Sequence, residues 1–161
     1  MHPRARELVE TLALEPHREG GFFAPLFRSA AVVVPAAGRP PRPGLTVIHF
    51  LLVEGSFSRW HRLLSDEAWH HCEGADVELF VAPSGGGRVE RHRLGPLAEG
   101  AGPLRAVPAG AWQAARTTGA YSLVACSVGP GFDYADFTLL ASLPPAERPP
   151  FDPPALRDEL L

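Results

Sequence analysis

The stretch Gly55-Ser56-Phe57-Ser58-Arg59-Trp60-His61-Arg62-Leu63-Leu64-Ser65-Asp66-Glu67, closing at Gly74, decides the reading of this chain. Glycines bound it, and a turn at 64–66 divides it into two strand-length runs, 58–63 and 67–73. Side chains on a strand alternate between its faces. His61 and Leu63 therefore share one face of the first run, and Glu67, Trp69 and His71 share one face of the second.

The same grammar continues outward. Gly (16 residues) and Pro (18) make up about a fifth of the chain, spread as punctuation between runs rich in Val, Leu, Phe and Trp. Further strands are expected at 22–29, 31–34, 46–53, 77–82, 88–94, 104–107, 112–116, 121–128 and 136–140. Many short strands joined by tight turns predict a barrel or sandwich. Before them, residues 3–14 read as an amphipathic helix: Pro3 suits a first turn, Leu8 and Leu12 lie on one stripe, and Pro16 ends it. Residues 35–44 carry four prolines and two glycines and read as a surface loop. Residues 144–161 form a Pro-rich tail with a helical turn at 154–160. The 161 residues amount to one domain, with the barrel at about 22–140.

Composition removes several classes of chemistry. All 15 basic residues are Arg, and the formal net charge is −3. Without Lys there is no Schiff-base lysine and no P-loop. No basic stripe suits a nucleic-acid backbone, and no apolar run approaches the ~18–20 residues of a membrane helix. The N-terminal residues lack a secretory hydrophobic region, which predicts a cytoplasmic protein. Cys72 and Cys126 have no C-x-x-C partner and are expected to be buried structural thiols.

The opening stretch, with G, H, E and G at its fixed intervals, resembles the first motif of the cupin superfamily at every spacing, with Leu63 where that motif has a second His. The run Gly102-Pro103-Leu104-Arg105-Ala106-Val107-Pro108-Ala109-Gly110-Ala111-Trp112-Gln113 resembles the second motif, with Gln113 in place of its His and Thr117 in place of its Asn. Three further segments, His17-Arg18-Glu19-Gly20-Gly21, Ser65-Asp66-Glu67-Ala68-Trp69-His70 and Pro130-Gly131-Phe132, extend the resemblance to the cupin type 5 (DUF985) family. The resemblance implies an all-β double-stranded β-helix, a small jelly-roll barrel, here with a short N-terminal helix, and a homodimer.

In that fold His61 and Glu67 would face the barrel interior, with Gln113 arriving from the facing sheet. Metal-binding cupins gather three His and one Glu there. Leucine offers no lone pair and an amide oxygen is a weak ligand for transition metals. The expectation is a barrel that keeps a polar pocket without its metal. A divalent ion held by His61, Glu67 and Gln113 is the alternative.

Barrel mouths suit small molecules. Trp60, Trp69, Trp112 and Phe23 are candidate walls, although aromatics on strands serve equally as core. His70, Gln113 and Arg59 are candidate ligand contacts. His61 as base and Glu67 as acid or orienting group would suit a metal-independent isomerase or epimerase of a sugar or keto compound. A non-catalytic binding protein and a metal-dependent enzyme with a reduced ligand set are the alternatives.

Overall fold

In the computed structural model, which describes residues 1–36 and 38–161, two six-stranded sheets face each other. The principal strands are β1 (Phe22–Arg28), β2 (Thr46–Val53), β3 (Phe57–Leu63), β4 (Asp66–Gly74), β5 (Val77–Ala82), β6 (Glu90–Leu94), β7 (Leu104–Val107), β8 (Trp112–Thr117), β9 (Tyr121–Gly129) and β10 (Phe137–Leu139). One sheet runs Glu15–Pro16, β1, β2, β9, β4, β7; the other runs Ala101–Gly102, β6, β5, β8, β3, β10. The turn after β3 thus carries the chain from one sheet to the other. This is the double-stranded β-helix that the sequence motifs imply.

Three apolar clusters hold the layers. Between the sheets lie Phe50, Leu52, Trp69, Val77, Leu79, Leu94 and Val124. The outer face of the first sheet is covered by helix α1 (Pro3–Thr11), whose Ala5 and Leu8 pack with Leu51 and Leu123. The outer face of the second sheet is covered by the C-terminal tail. Phe151 and Leu160 there bury Trp60, Phe80 and Trp112, and helix α2 (Pro154–Glu159) closes the patch. The central strands of both sheets are therefore buried on two faces, which explains strands that are apolar at successive positions, such as Phe50-Leu51-Leu52.

Several boundaries differ from the expected ones for local reasons. The helix stops at Thr11 because Ala13 turns into the left-handed region (φ 49) and the Leu14 N–H donates back to the Val9 carbonyl at 2.9 Å. The expected strand at 31–34 shortens to Val32–Val33. The expected strand at 88–94 divides: Gly87–Arg88 pairs in parallel with Phe151–Asp152 of the tail, and β6 begins at Glu90. Tyr134–Asp136 forms a 3-10 turn, capped by Asp133 Oδ1 accepting from the Ala135 N–H at 2.9 Å, so the last strand begins at Phe137.

The loop at 35–44, whose Ala37 lies outside the described residues, is anchored by Arg39 and Arg42. Both pair with Asp136, at 2.6 and 2.8 Å. Cys126 is buried as expected, but Cys72 is exposed, because β4 gains an extra residue against β9 where Val124 faces His71 and Leu123 faces Glu73. Among the described residues no helix is long and apolar enough to cross a membrane.

Candidate active site

The site begins where β3 changes its alternation. Gln113 of β8 faces His61 and Ala115 faces Ser58, so β3 spends one extra residue in that interval. The bulge brings both Ser58 and His61 to the interior and turns Arg59 out to solvent. It also leaves the Arg59 carbonyl free to accept from His61 Nδ1–H at 2.8 Å, which fixes the tautomer and leaves the Nε2 lone pair unprotonated.

The segment between Pro16 and β1 brings in two further groups. Gly20 (φ 108) passes so close to β3 that a Cβ would collide with the Phe57 carbonyl. The Arg59 N–H donates to the Glu19 carbonyl at 2.8 Å, locking the crossing. The Glu19 carboxyl is thereby buried beside His61. Its Oε1 accepts from Ser58 Oγ–H at 2.8 Å, and its Oε2 lies 3.4 Å from His61 Nε2 and 3.6 Å from His17 Nδ1. Glu67 enters from the facing sheet. Its Oε2 accepts from the Gln113 side-chain N–H, while Gln113 Oε1 accepts from the Trp69 indole N–H at 2.9 Å. Indole can only donate, so this bond sets which way round the Gln113 amide lies.

These groups form the floor of a cavity of about 310 Å³. Phe23, Ile48, Phe50, Leu63, Val128 and Phe132 wall it, and Phe27, Arg28 and Tyr134 stand at its more exposed rim. Burial controls the floor's charge. It raises the Glu19 and Glu67 carboxyls to about 7, with His17 opposing the effect on Glu19 and His61 opposing it on Glu67. Burial likewise lowers His17 and His61, with the neighbouring carboxylates opposing. Near neutral pH the floor thus holds neutral imidazoles beside carboxyls poised between their two forms.

Of the residues singled out from the sequence, His61, Glu67 and Phe23 line this cavity. Gln113 and Trp69 lie behind it as the chain that orients Glu67. Gln113 comes from the sheet of His61, directly opposite it in register, and not from the facing sheet, which corrects the expectation. Trp60 and Trp112 are buried on the outer face under the tail, where their indole N–H groups donate to the carbonyls of Leu156 (2.9 Å) and Ser84 (3.1 Å). Each is the sequence neighbour of an inward residue and so points away from the cavity. Arg59 is exposed, and His70 lies on the outward parity of β4, between inward Trp69 and His71.

A family model, the cupin superfamily (DUF985), matches residues 6–140. The chain belongs to this cupin family. A hypothetical protein from Leishmania major is 30% identical over 97% of both chains, with a TM-score of 0.82. A protein of Shewanella oneidensis is 32% identical over 97% of this chain and 96% of that one, with a TM-score of 0.83. An oxalate decarboxylase of Bacillus subtilis, 12% identical over 80% of this chain and 31% of that one (TM-score 0.56), shares the fold. No curated protein matches the chain.

The cupin superfamily implies a metal, and the residues at two of its motif positions do not fit one. Leu63 takes the place of one imidazole, and the Gln113 oxygen is already spent on the Trp69 indole, leaving only N–H groups toward Glu67. The polar groups that sequence reasoning did not place at the cavity are His17, Glu19, Thr46, Cys126 and Tyr134. The run His17-Arg18-Glu19-Gly20-Gly21, already a family segment, carried the signal for the first two; two glycines behind a buried acid mark a close backbone crossing. Cys126 was read only as core, and it packs beside Glu67. Tyr134 had no signal, because its place depends on the 3-10 turn.

Proposed function

We propose that this cupin is a metal-independent proton-transfer enzyme acting beside a carbonyl group, of isomerase or epimerase type. The observation that carries this reading is the neutral, tautomer-fixed His61 buried at the floor of the cavity with carboxyls on two sides. His61 Nε2 takes a proton from the carbon next to the carbonyl. Glu67 in its protonated form gives its proton to the carbonyl oxygen, producing the enol. Return of a proton to carbon and loss of the enol proton to Glu67 complete the exchange. Glu19, 3.4 Å from Nε2, balances the imidazolium formed in between. A base and an acid whose affinities for protons lie near the working pH are the combination that general acid–base catalysis favours.

The test is solvent-deuterium exchange into ketones above the buffer rate, followed by mass spectrometry. The protein should catalyse it, and His61→Ala should reduce it by about 10²–10⁴-fold. Leu63→Ala, which removes a wall carbon chain but no proton-transfer group, should keep most of it. Equal loss in both variants would mean that packing rather than the imidazole is being read.

A further inference from the structure

The distribution of charge along the cavity is uneven. Its floor holds Glu19, His61 and Glu67, each less than a tenth exposed, and no guanidinium. A carboxylate placed there would meet two acidic groups and imidazoles kept neutral by burial. Apart from the Cys126 thiol and Thr46, whose hydroxyl oxygen already accepts from the Phe132 N–H at 2.9 Å, the walls between floor and rim are hydrocarbon and aromatic, so a polyol lying along them would give up most of its hydrogen bonds to water without replacement. At the rim the sign reverses. Arg28 lines the opening, and Arg18 lies over the Tyr134 ring at 4.5 Å. Neither has an ion-pair partner among the described residues, whereas Arg39 and Arg42 are committed to Asp136. Two unpaired guanidiniums at the mouth of an apolar shaft suit one anionic group.

We infer that the cavity takes a monocarboxylate whose apolar chain separates the carboxylate, held by Arg28 and Arg18 at the rim, from a carbonyl group at the floor. The inference rests on the proton-transfer reading for what happens at the inner end, and it narrows a sugar or keto compound to a keto acid with its two functions apart. Acids with the carbonyl directly beside the carboxylate are disfavoured, because one of the two groups then lies where nothing matches it.

Four probes of comparable size separate these terms by isothermal titration calorimetry on the full chain: 6-oxoheptanoate, 2-oxoheptanoate, heptan-2-one and glucose. The expected order places 6-oxoheptanoate first, roughly tenfold or more tighter than any other, the worth of a charge-assisted hydrogen bond. Arg18→Ala combined with Arg28→Ala should bring 6-oxoheptanoate down to the level of heptan-2-one and leave heptan-2-one unchanged, which also reports an intact cavity. Equal binding of the two oxo acids, equal binding of heptan-2-one, a lead for glucose, binding of none, or no effect of the double variant would each overturn the inference. Deuterium exchange distinguishes the two readings. Preferred binding of 6-oxoheptanoate without catalysed exchange removes the proton-transfer step and keeps the ligand class. Catalysed exchange that is as fast with heptan-2-one as with 6-oxoheptanoate does the reverse.

Discussion

At one end of the barrel, Leu52 from the close of β2, Val77 and Leu79 from β5, Leu94 from β6 and Val124 from the opening of β9 fill the space between the sheets. At the other end, the same β2 and β9 contribute Ile48 and Val128 to the walls of a 310 Å³ cavity whose floor is two carboxyls and two imidazoles. The polar groups at the open end are set by a bulge on β3 and by one crossing segment, residues 17–21, which place them where packing would otherwise continue. Stability is concentrated at the filled end, and chemistry at the end that was left open.

The sharpest way to break this comparison is to remove His61, whose loss should cost exchange by the factor given above while the filled end stays folded. Next in size is the same truncation made at both ends. Leu79→Ala opens a cavity in packed surroundings and should destabilise by about 2–5 kcal/mol, whereas Leu63→Ala enlarges an existing cavity and should cost less than half as much. Thermal unfolding of the two variants measures this; equal losses would mean that the open end is as tightly packed as the other.

The third prediction concerns pH. The folded chain holds the Glu67 proton up to about pH 7, while the unfolded chain releases it near the ordinary 4.5. The folded state therefore binds more protons between those values. This contribution to stability is fully present below about 4.5 and is lost as pH rises to about 7, a loss on the order of 3 kcal/mol for one such group. His17 and His61, lowered by burial, run the other way: their contribution is present above the unfolded value and is lost as pH falls. Glu19 faces the same floor and follows the sign of Glu67. Comparing Glu67→Gln with the parent isolates one carboxyl. The variant should gain in relative melting temperature as pH rises from about 5 to about 8, and a difference independent of pH would contradict the burial argument.

How much of this was legible in the sequence can be argued from neighbours on one strand. Period-two alternation, with the cupin motif, put His61 and Glu67 into one interior, and the structure has them there. The same alternation already set Trp60 and Trp112 on the opposite parity; their candidacy rested on residue type, and the tail that buries them is remote in sequence. Arg59 shares parity with His61 and would be inward on a regular strand. The bulge that expels it has no mark in the letters, because it appears only when β3 is laid against β8. For Glu19 the two following glycines mark a close crossing but not what is crossed, since the Arg59 that receives it lies 40 residues further on and the link is made by tertiary contact alone.

The smallest effect sharpens the role assigned to the indole behind the floor. Trp69→Phe leaves Gln113 Oε1 without its donor, which should destabilise by about 1–3 kcal/mol and free the amide to turn. Exchange activity should then fall together with the orientation of Glu67, and Trp69→Phe with full stability and full activity would remove that orienting chain from the account.

Carboxyl carbon NMR of glutamate-labelled protein, titrated from about pH 3 to about pH 9, reads the floor directly. Glu19→Gln and Glu67→Gln identify its two signals by their disappearance. The account predicts that both carboxyls titrate near 7, as an interacting pair, far above the exposed glutamates. Signals from Glu19 and Glu67 that titrate in the ordinary range near 4.5 would contradict it.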